Sequence, residues 1–245
     1  SCIWVLSFLF GKKSLLKLRK CHFGLNPKII LPCLALGTAT FIMQASESII
    51  SICFNSSLLK YGGDIAVGSM TILTSVMQFA MLPLQGLGQG AQPIISFNFG
   101  AKNKTRVKDT FKLLLKVSLI YSTLLWLAVM LFPQVFTRLF TSSSELLIFT
   151  KTSLRIYVAT LFLFGIQTAC QMTFTSIGNA KASILVAVMR KFILLIPLIY
   201  IMPQILKSNQ TMAIYMAEPI ADALAVAFTI TLFVFQFKKT MKIME

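Results

Sequence analysis

From Ile65 to Ala101 the chain carries no charged residue, yet it is rich in glutamine, glycine and proline. Such a run is longer than the ~20 apolar residues that cross a bilayer, so it reads as a membrane helix continuing into a buried bend. Within it Thr71, Thr74, Gln78, Gln85, Gln89, Gln92 and Ser96 fall in one narrow arc at about 100° per residue, a polar stripe that must face protein or water. Pro83 and Pro93 each remove a backbone donor, and Gly86, Gly88 and Gly90 permit close approach by a neighbour, so a kink is expected here.

The rest of the chain repeats this pattern of apolar spans and hydrophilic joints. With 56% hydrophobic and 12% charged residues it is too apolar for a soluble domain, whose apolar share is ~45 to 50%. The expected fold is all-α and polytopic, in contact with the lipid bilayer. Six spans are expected, near 29–59, 65–97, 117–136, 156–177, 184–202 and 212–237, preceded by the end of another helix, Cys2 to Phe10. Residues 1–28 hold that helix end and a basic linker, 29–237 the six-helix lobe, and 238–245 a tail. A tight turn is expected at Lys60–Asp64, a helix stop at Gly178–Asn179, and an amphipathic connector between Arg138 and Arg155.

A net charge of +16 could suggest nucleic acid, but basic residues confined to the joints between apolar spans follow the positive-inside rule instead, and no nucleic-acid partner is expected. The first joint (Lys12, Lys13, Lys17, Arg19, Lys20, Lys28), the second (Lys102, Lys104, Arg106, Lys108, Lys112, Lys116), Lys181 with Arg190 and Lys191, and the tail (Lys238, Lys239, Lys242) fall on one side and total 18. Lys60, Arg138, Lys151, Arg155 and Lys207 fall on the other and total 5. The asymmetry puts the basic joints and C-terminus in the cytoplasm, with Arg190 and Lys191 snorkelling to a membrane face. The five cysteines sit singly, without a CxxC pair for zinc or redox chemistry.

Enzyme motifs are absent: there is no HExxH, GxSxG or P-loop, and the one histidine, His22, lies in a basic joint. No catalytic residue, cofactor or metal site is expected. Glu47 stands out, because an ionised carboxylate near the bilayer centre costs at least ~2.5 to 3.5 kcal/mol and intramembrane acids mark function by default. Gln44, Glu47, Ser48, Ser51 and Asn55 share an arc of about 100° on one helix, so the acid faces a polar lining. On the fourth span Thr160, Gln167, Gln171, Thr175 and Gly178 share another face, open to cavity lining or to interhelical hydrogen bonding. Gln44, Ser51, Asn55, Gln78, Gln85, Gln167 and Gln171 are the substrate-path candidates. Glu218 and Asp222, four apart beside Pro219, are expected near the outer interface at the start of the last span, in a gating or structural role. Twelve methionines offer adaptable contacts to apolar ligands.

The stretch GLGQGAQPIISFNFGAKN, Gly86 to Asn103, resembles the segment closing the eighth helix of multidrug and toxic compound extrusion (MATE) exporters. IGNAKAS (Ile177–Ser183), RKFILLIPLIYIMP (Arg190–Pro203) and AEPIADAL (Ala217–Leu224) resemble the same family, in order. The resemblance implies the second six-helix lobe of a two-lobe antiporter, with an N-terminal six-helix lobe as partner, H+ or Na+ as coupling ion, and small organic, cationic substrates. It also implies a coupling role for Glu47, which counting from Gly37 places at the depth of the acid on the family's seventh helix. The chain departs from the pattern in length, and in offering neutral glutamines where cation-coupled members carry an aspartate on the tenth helix. One elementary charge crossing 100 mV yields ~2.3 kcal/mol, enough for a roughly 50-fold gradient of a neutral substrate. The runner-up is a lipid-linked oligosaccharide flippase, which a cluster of cavity arginines would favour; a third reading is a membrane receptor that transports nothing.

Overall fold

The computed structural model describes the backbone of residues 27–243 and the side chains of Pro27, Ile30, 45–179 and 181–241. The Cys2–Phe10 helix end, most of the first basic joint and the side chain of Gln44 lie outside them. By its contacts the chain divides into two units, Ser1–Ala45 and Ser46–Glu245. The described part of the first is helical; the second holds everything below.

The described residues contain no strand. The helices are α1 (Pro27–Gly100), α2 (Lys104–Leu131), α3 (Pro133–Arg138), α4 (Ser144–Tyr157), α5 (Phe164–Ser176), α6 (Ala180–Val188), α7 (Ile196–Ile205) and α8 (Gln210–Ile243). A 3-10 turn, Leu161–Leu163, precedes α5, and a π-helical stretch, Met189–Leu195, joins α6 to α7. Among the described residues four helices are long and apolar enough to cross a membrane, five if the pair α4 and α5, bent by 44°, forms one broken span. The break in α1 at Gly63 divides one of them and gives the sixth expected element.

That break is the expected tight turn. Gly63 sits at φ +64°, ψ −162°, a backbone state that a side chain strains and glycine does not. Gly62 beside it is needed for space, since a Cβ there would lie 2.5 Å from Thr211 Cγ2. The carbonyls loosened by the break find donors on α8: Thr211 Oγ1 donates to Tyr61 O at 2.8 Å and Tyr215 OH to Ala66 O at 2.7 Å. Residues 64–100 keep helical dihedrals through Pro83 and Pro93, so the helix is not interrupted at either proline.

The α4–α5 break falls inside the expected fourth span, and it too is held from outside. Trp126 Nε1 donates to Ala159 O at 3.0 Å and Ser122 Oγ to Phe162 O at 2.9 Å, so two residues one turn apart on α2 satisfy carbonyls released at the bend. Close approach of α2 and α5 depends on Gly165, where a Cβ would meet Ser118 O at 2.6 Å. The expected stop at Gly178–Asn179 is present. Gly178 adopts φ +74°, the Asn179 amide returns to Phe174 O at 2.9 Å, and the Asn179 side chain accepts from Ala182 N to start α6.

Two boundaries move. The second basic joint is itself helical, since α2 begins at Lys104, capped by Asn103, and stops at Leu131 ahead of Pro133. Pro219 does not open the last span but lies nine residues inside α8, which starts at Gln210.

Candidate functional site

The polar residues of the spans do not share one fate. Glu47, Ser51 and Asn55 on the first arm of α1, and Gln78 and Gln85 on the second, are exposed in this chain. Gln167 is buried, and its Oε1 finds no partner. Gln171 is half-buried. Ser96, at the end of the long stripe, donates to Ser176 O at 2.9 Å and so joins α1 to α5. Thr71 and Thr74 donate to carbonyls of their own helix. The stripe read from periodicity is therefore part open wall, part interhelical seam.

The charged residues of the spans gather in one place. Arg190 Nε donates to Asp222 Oδ1 at 2.6 Å, and Arg190 Nη2 to Glu218 Oε1 at 2.9 Å. Lys191 Nζ donates to Glu47 Oε1 at 2.5 Å, an interaction between residues 144 positions apart. The Arg190 guanidinium also stands 5.2 Å from the centre of the Phe164 ring, a cation–π contact that suits a planar, weakly hydrated cation. Buried Tyr157, at the end of α4, lies within electrostatic reach of Arg190, Glu218, Asp222 and Glu47. Five elements thus meet here: α1, α4, α5, the π-helical stretch and α8.

These positions correct two expectations. Arg190 and Lys191 do not snorkel to a membrane face. Counted along the span Lys181–Ile205, Arg190 is about 14 Å from one end and about 22 Å from the other at 1.5 Å per residue, too deep for a partnerless cation. Glu218 and Asp222 do not lie at the outer interface; both are buried, with side chains 8% and 3% exposed, because Arg190 offers its planar fork to the two together. Glu47, on the polar arc expected of it, has the Lys191 ammonium as a close partner. The charge count survives in weakened form, with 16 cations rather than 18 on the inferred cytoplasmic side against 5 on the other.

The π-helical stretch makes the arrangement possible. A π turn adds a residue to the helix and rotates the side chains around it, and such bulges recur at functional sites. Here it spans Met189–Leu195 and carries both cations, which point to different partners although they are adjacent in sequence. Periodicity did not reveal this pair. The legible signal was the need of three intramembrane acids, Glu47, Glu218 and Asp222, for counter-charges, which Arg190 and Lys191 alone could meet inside the spans.

The two ion pairs differ physically. The Arg190 group is a three-residue clasp in which both acids are buried and the arginine side chain is 20% exposed. The Lys191–Glu47 pair is half open, with Lys191 12% and Glu47 61% exposed, and its contact is a single point. Two cations face three carboxylates, so the cluster is negative by one charge when all are ionised. No group of three or more His, Cys, Asp or Glu residues fit to hold a metal occurs among the described residues. A groove of about 440 Å³ between α2, α5 and α8 lies elsewhere, lined by Phe111, Ile166, Phe233, Phe237 and other apolar side chains, with Lys238 at its rim.

Comparison with known proteins gives this arrangement a family. Residues 39–201 match the MatE family model, a segment that includes Glu47, Arg190 and Lys191. Among curated proteins, the chain is 26% identical over 177 residues to the multidrug export protein MepA of Staphylococcus aureus, covering 72% of this chain and 39% of that protein. It is 24% identical over 167 residues to MepA of Staphylococcus haemolyticus, covering 68% of this chain and 36% of that one. Among solved structures, the MATE multidrug transporter DinF-BH shares 31% identity at a TM-score of 0.79, over 98% of this chain and 53% of that one. A MATE protein in a bent conformation shares the fold at a TM-score of 0.85 with 17% identity, over 99% of this chain and 54% of that one. The chain thus spans about half the length of the solved transporters, and less than half that of the curated relatives. A helical membrane lobe with this fold, matched by the family model over well over half its length, belongs to the MatE family.

Proposed function

We propose that this chain forms the second lobe of a cation-coupled exporter of small organic, cationic molecules in the cytoplasmic membrane, working against an N-terminal six-helix lobe. H+ or Na+ is the coupling ion, and the basic joints and C-terminus are cytoplasmic. The observation that carries this reading is the mid-span network of three carboxylates and two cations, negative by one charge when all are ionised, with Glu47 paired to Lys191 yet exposed on a polar wall. A net negative site at membrane depth attracts cations, and alternating access rocks one repeat against the other around a midplane site. Ser51, Asn55, Gln78 and Gln85, exposed on the two arms of α1, supply the substrate wall. Gln171 contributes at its edge. Glu218 and Asp222 serve as structural acids through Arg190.

The flippase reading gains from finding two cations inside a span, but both are already matched by carboxylates. A diphosphate headgroup would meet net negative charge there, and the reading weakens accordingly.

The test is Glu47→Gln in the complete two-lobe protein, reconstituted in vesicles, with efflux of a fluorescent rhodamine cation driven by an imposed proton or sodium gradient. The substitution keeps shape and removes the charge. Normal folding with at least a tenfold loss of gradient-driven efflux is expected, the size of losing about 1.4 kcal/mol of coupling. Efflux at the parent rate, with unchanged dependence on pH and sodium, would remove Glu47 from the coupling site.

A further inference from the structure

The two cations of the π-helical stretch have unequal freedom, and that inequality carries a function of its own. Arg190 is fixed by two buried carboxylates and by the Phe164 ring. Lys191 holds one carboxylate, by one contact, on the exposed side. A lysine ammonium is a compact charge on a flexible stem, so it leaves a partner without breaking a fork. It also has somewhere to go. Glu218 lies within electrostatic reach of Lys191, and the Arg190–Glu218–Asp222 group carries one negative charge in excess when both acids are ionised, with Asp222 Oδ2 buried and unpartnered.

We propose that Lys191 is a tethered counter-cation that occupies the place at Glu47 which a transported cation takes. The ligand class is a monovalent cation, organic or inorganic, and it competes with the Lys191 ammonium for Glu47. In the empty protein the pair keeps Glu47 neutralised at membrane depth. A cation that binds Glu47 displaces Lys191, whose charge then shifts toward the excess negative charge of the clasp. The site thus never presents an isolated carboxylate to a low-dielectric surround, nor an isolated ammonium. Lys191 is a specificity-determining residue in this scheme, because a neutral ligand cannot exchange for it. The inference rests on the transport reading for its biological meaning, but the exchange itself is a binding equilibrium and is tested without transport.

The experiment is equilibrium binding of tetraphenylphosphonium, a lipophilic monocation without hydrogen-bond donors, to the complete two-lobe protein in nanodiscs, with triphenylphosphine oxide as the neutral comparison. If the pair is closed about nine-tenths of the time, Lys191→Gln lowers the cation's Kd about tenfold, because apparent affinity scales with the competent fraction. Lys191→Arg moves it the other way, raising Kd about threefold, since guanidinium grips carboxylate with two bonds. Glu47→Gln raises Kd, and adding Lys191→Gln to it brings no gain, so the two effects are non-additive. The neutral ligand responds to none of these changes. The proposal is overturned by an unchanged or raised Kd in Lys191→Gln, by equal shifts for cation and neutral ligand, or by absence of cation binding in both parent and Lys191→Gln. Should Lys191→Gln fail to fold, a Lys191→Arg protein that binds the cation as the parent does, or more tightly, overturns it equally. Efflux measured on the same preparations separates the two claims: tighter binding in Lys191→Gln without efflux in the parent keeps the exchange and rejects the exporter.

Discussion

Arg190 and Lys191 are neighbours on one π turn, carry the same charge and each meet acids from another helix, yet they build two different devices. Around Arg190 both acids are buried although the arginine side chain itself is 20% exposed, the aromatic ring of Phe164 stands over the guanidinium, and α8 is tied to the fifth span. Around Lys191 one side is left open, and Glu47 is 61% exposed. The difference lies in the partners, not the cations. Paired acids on successive turns of α8 suit a bidentate fork and reward burial, whereas one acid beside exposed Ser48 and Ser51 suits a contact that breaks. On the exporter reading proposed above, the chain needs both, a stiff joint between helices and a labile charge facing the path.

The comparison breaks most readily at the clasp. Arg190→Met leaves Glu218 and Asp222 buried without a counter-charge, which costs about 3 to 5 kcal/mol. The complete protein should lose its monodisperse peak on size-exclusion chromatography, or much of its thermal stability. Arg190→Lys, a single point charge for two acids, should fall between. If Arg190→Met melts with the parent, the clasp is not structural and the contrast with Lys191 fails.

Next comes the packing that keeps the closed side closed. Gly165→Ala pushes a Cβ into the Ser118–Leu119 backbone, which cannot move alone, so about 1 to 3 kcal/mol of destabilisation is expected. Gly88→Ala meets Met172 Cγ at 2.6 Å, which is just as close, but a methionine side chain can change rotamer, so the loss should stay below about 1 kcal/mol. Thermal melts of the two variants should rank them in that order. Equal losses would mean that the α1–α5 contact is as rigid as the α2–α5 one.

The smallest effect sharpens the open side. Gln167, buried with an unpartnered oxygen, should tolerate Gln167→Leu within about 1 kcal/mol, because no hydrogen bond to Oε1 is broken. Rhodamine efflux of that variant should stay within about a factor of two, by the same order-of-magnitude reasoning. Gln85→Leu, on the exposed wall, should reduce efflux more. A large loss with Gln167→Leu alone would move the substrate path toward the α2–α5 seam.

Much of this protein is set by residue order. Apolar runs of bilayer length impose helices, because every backbone group in lipid must be satisfied within its own segment. Gly62 with Gly63, and Gly178 with Asn179, impose a break and a stop because few other residues fit those backbone states. The family was legible in Gly86–Asn103 and three later phrases. Helical periodicity also found the exposed arc at Glu47, Ser51 and Asn55, since those residues share one helix.

What lay between helices was not legible. The bend after Tyr157 depends on Trp126 and Ser122 of another helix, and Gln167, which the sequence left open to cavity lining or interhelical bonding, is buried by its neighbours. Above all, the partners of Arg190 and Lys191 were decided by tertiary structure. A charge inside a membrane must be compensated, which the sequence states, but the pairings follow from the added residue of a π turn and the approach of α1 and α8, and Lys191 and Glu47 meet across 144 positions. Local physics acts within a few residues, so it determined the helices, and only their packing decided which acid each cation would find.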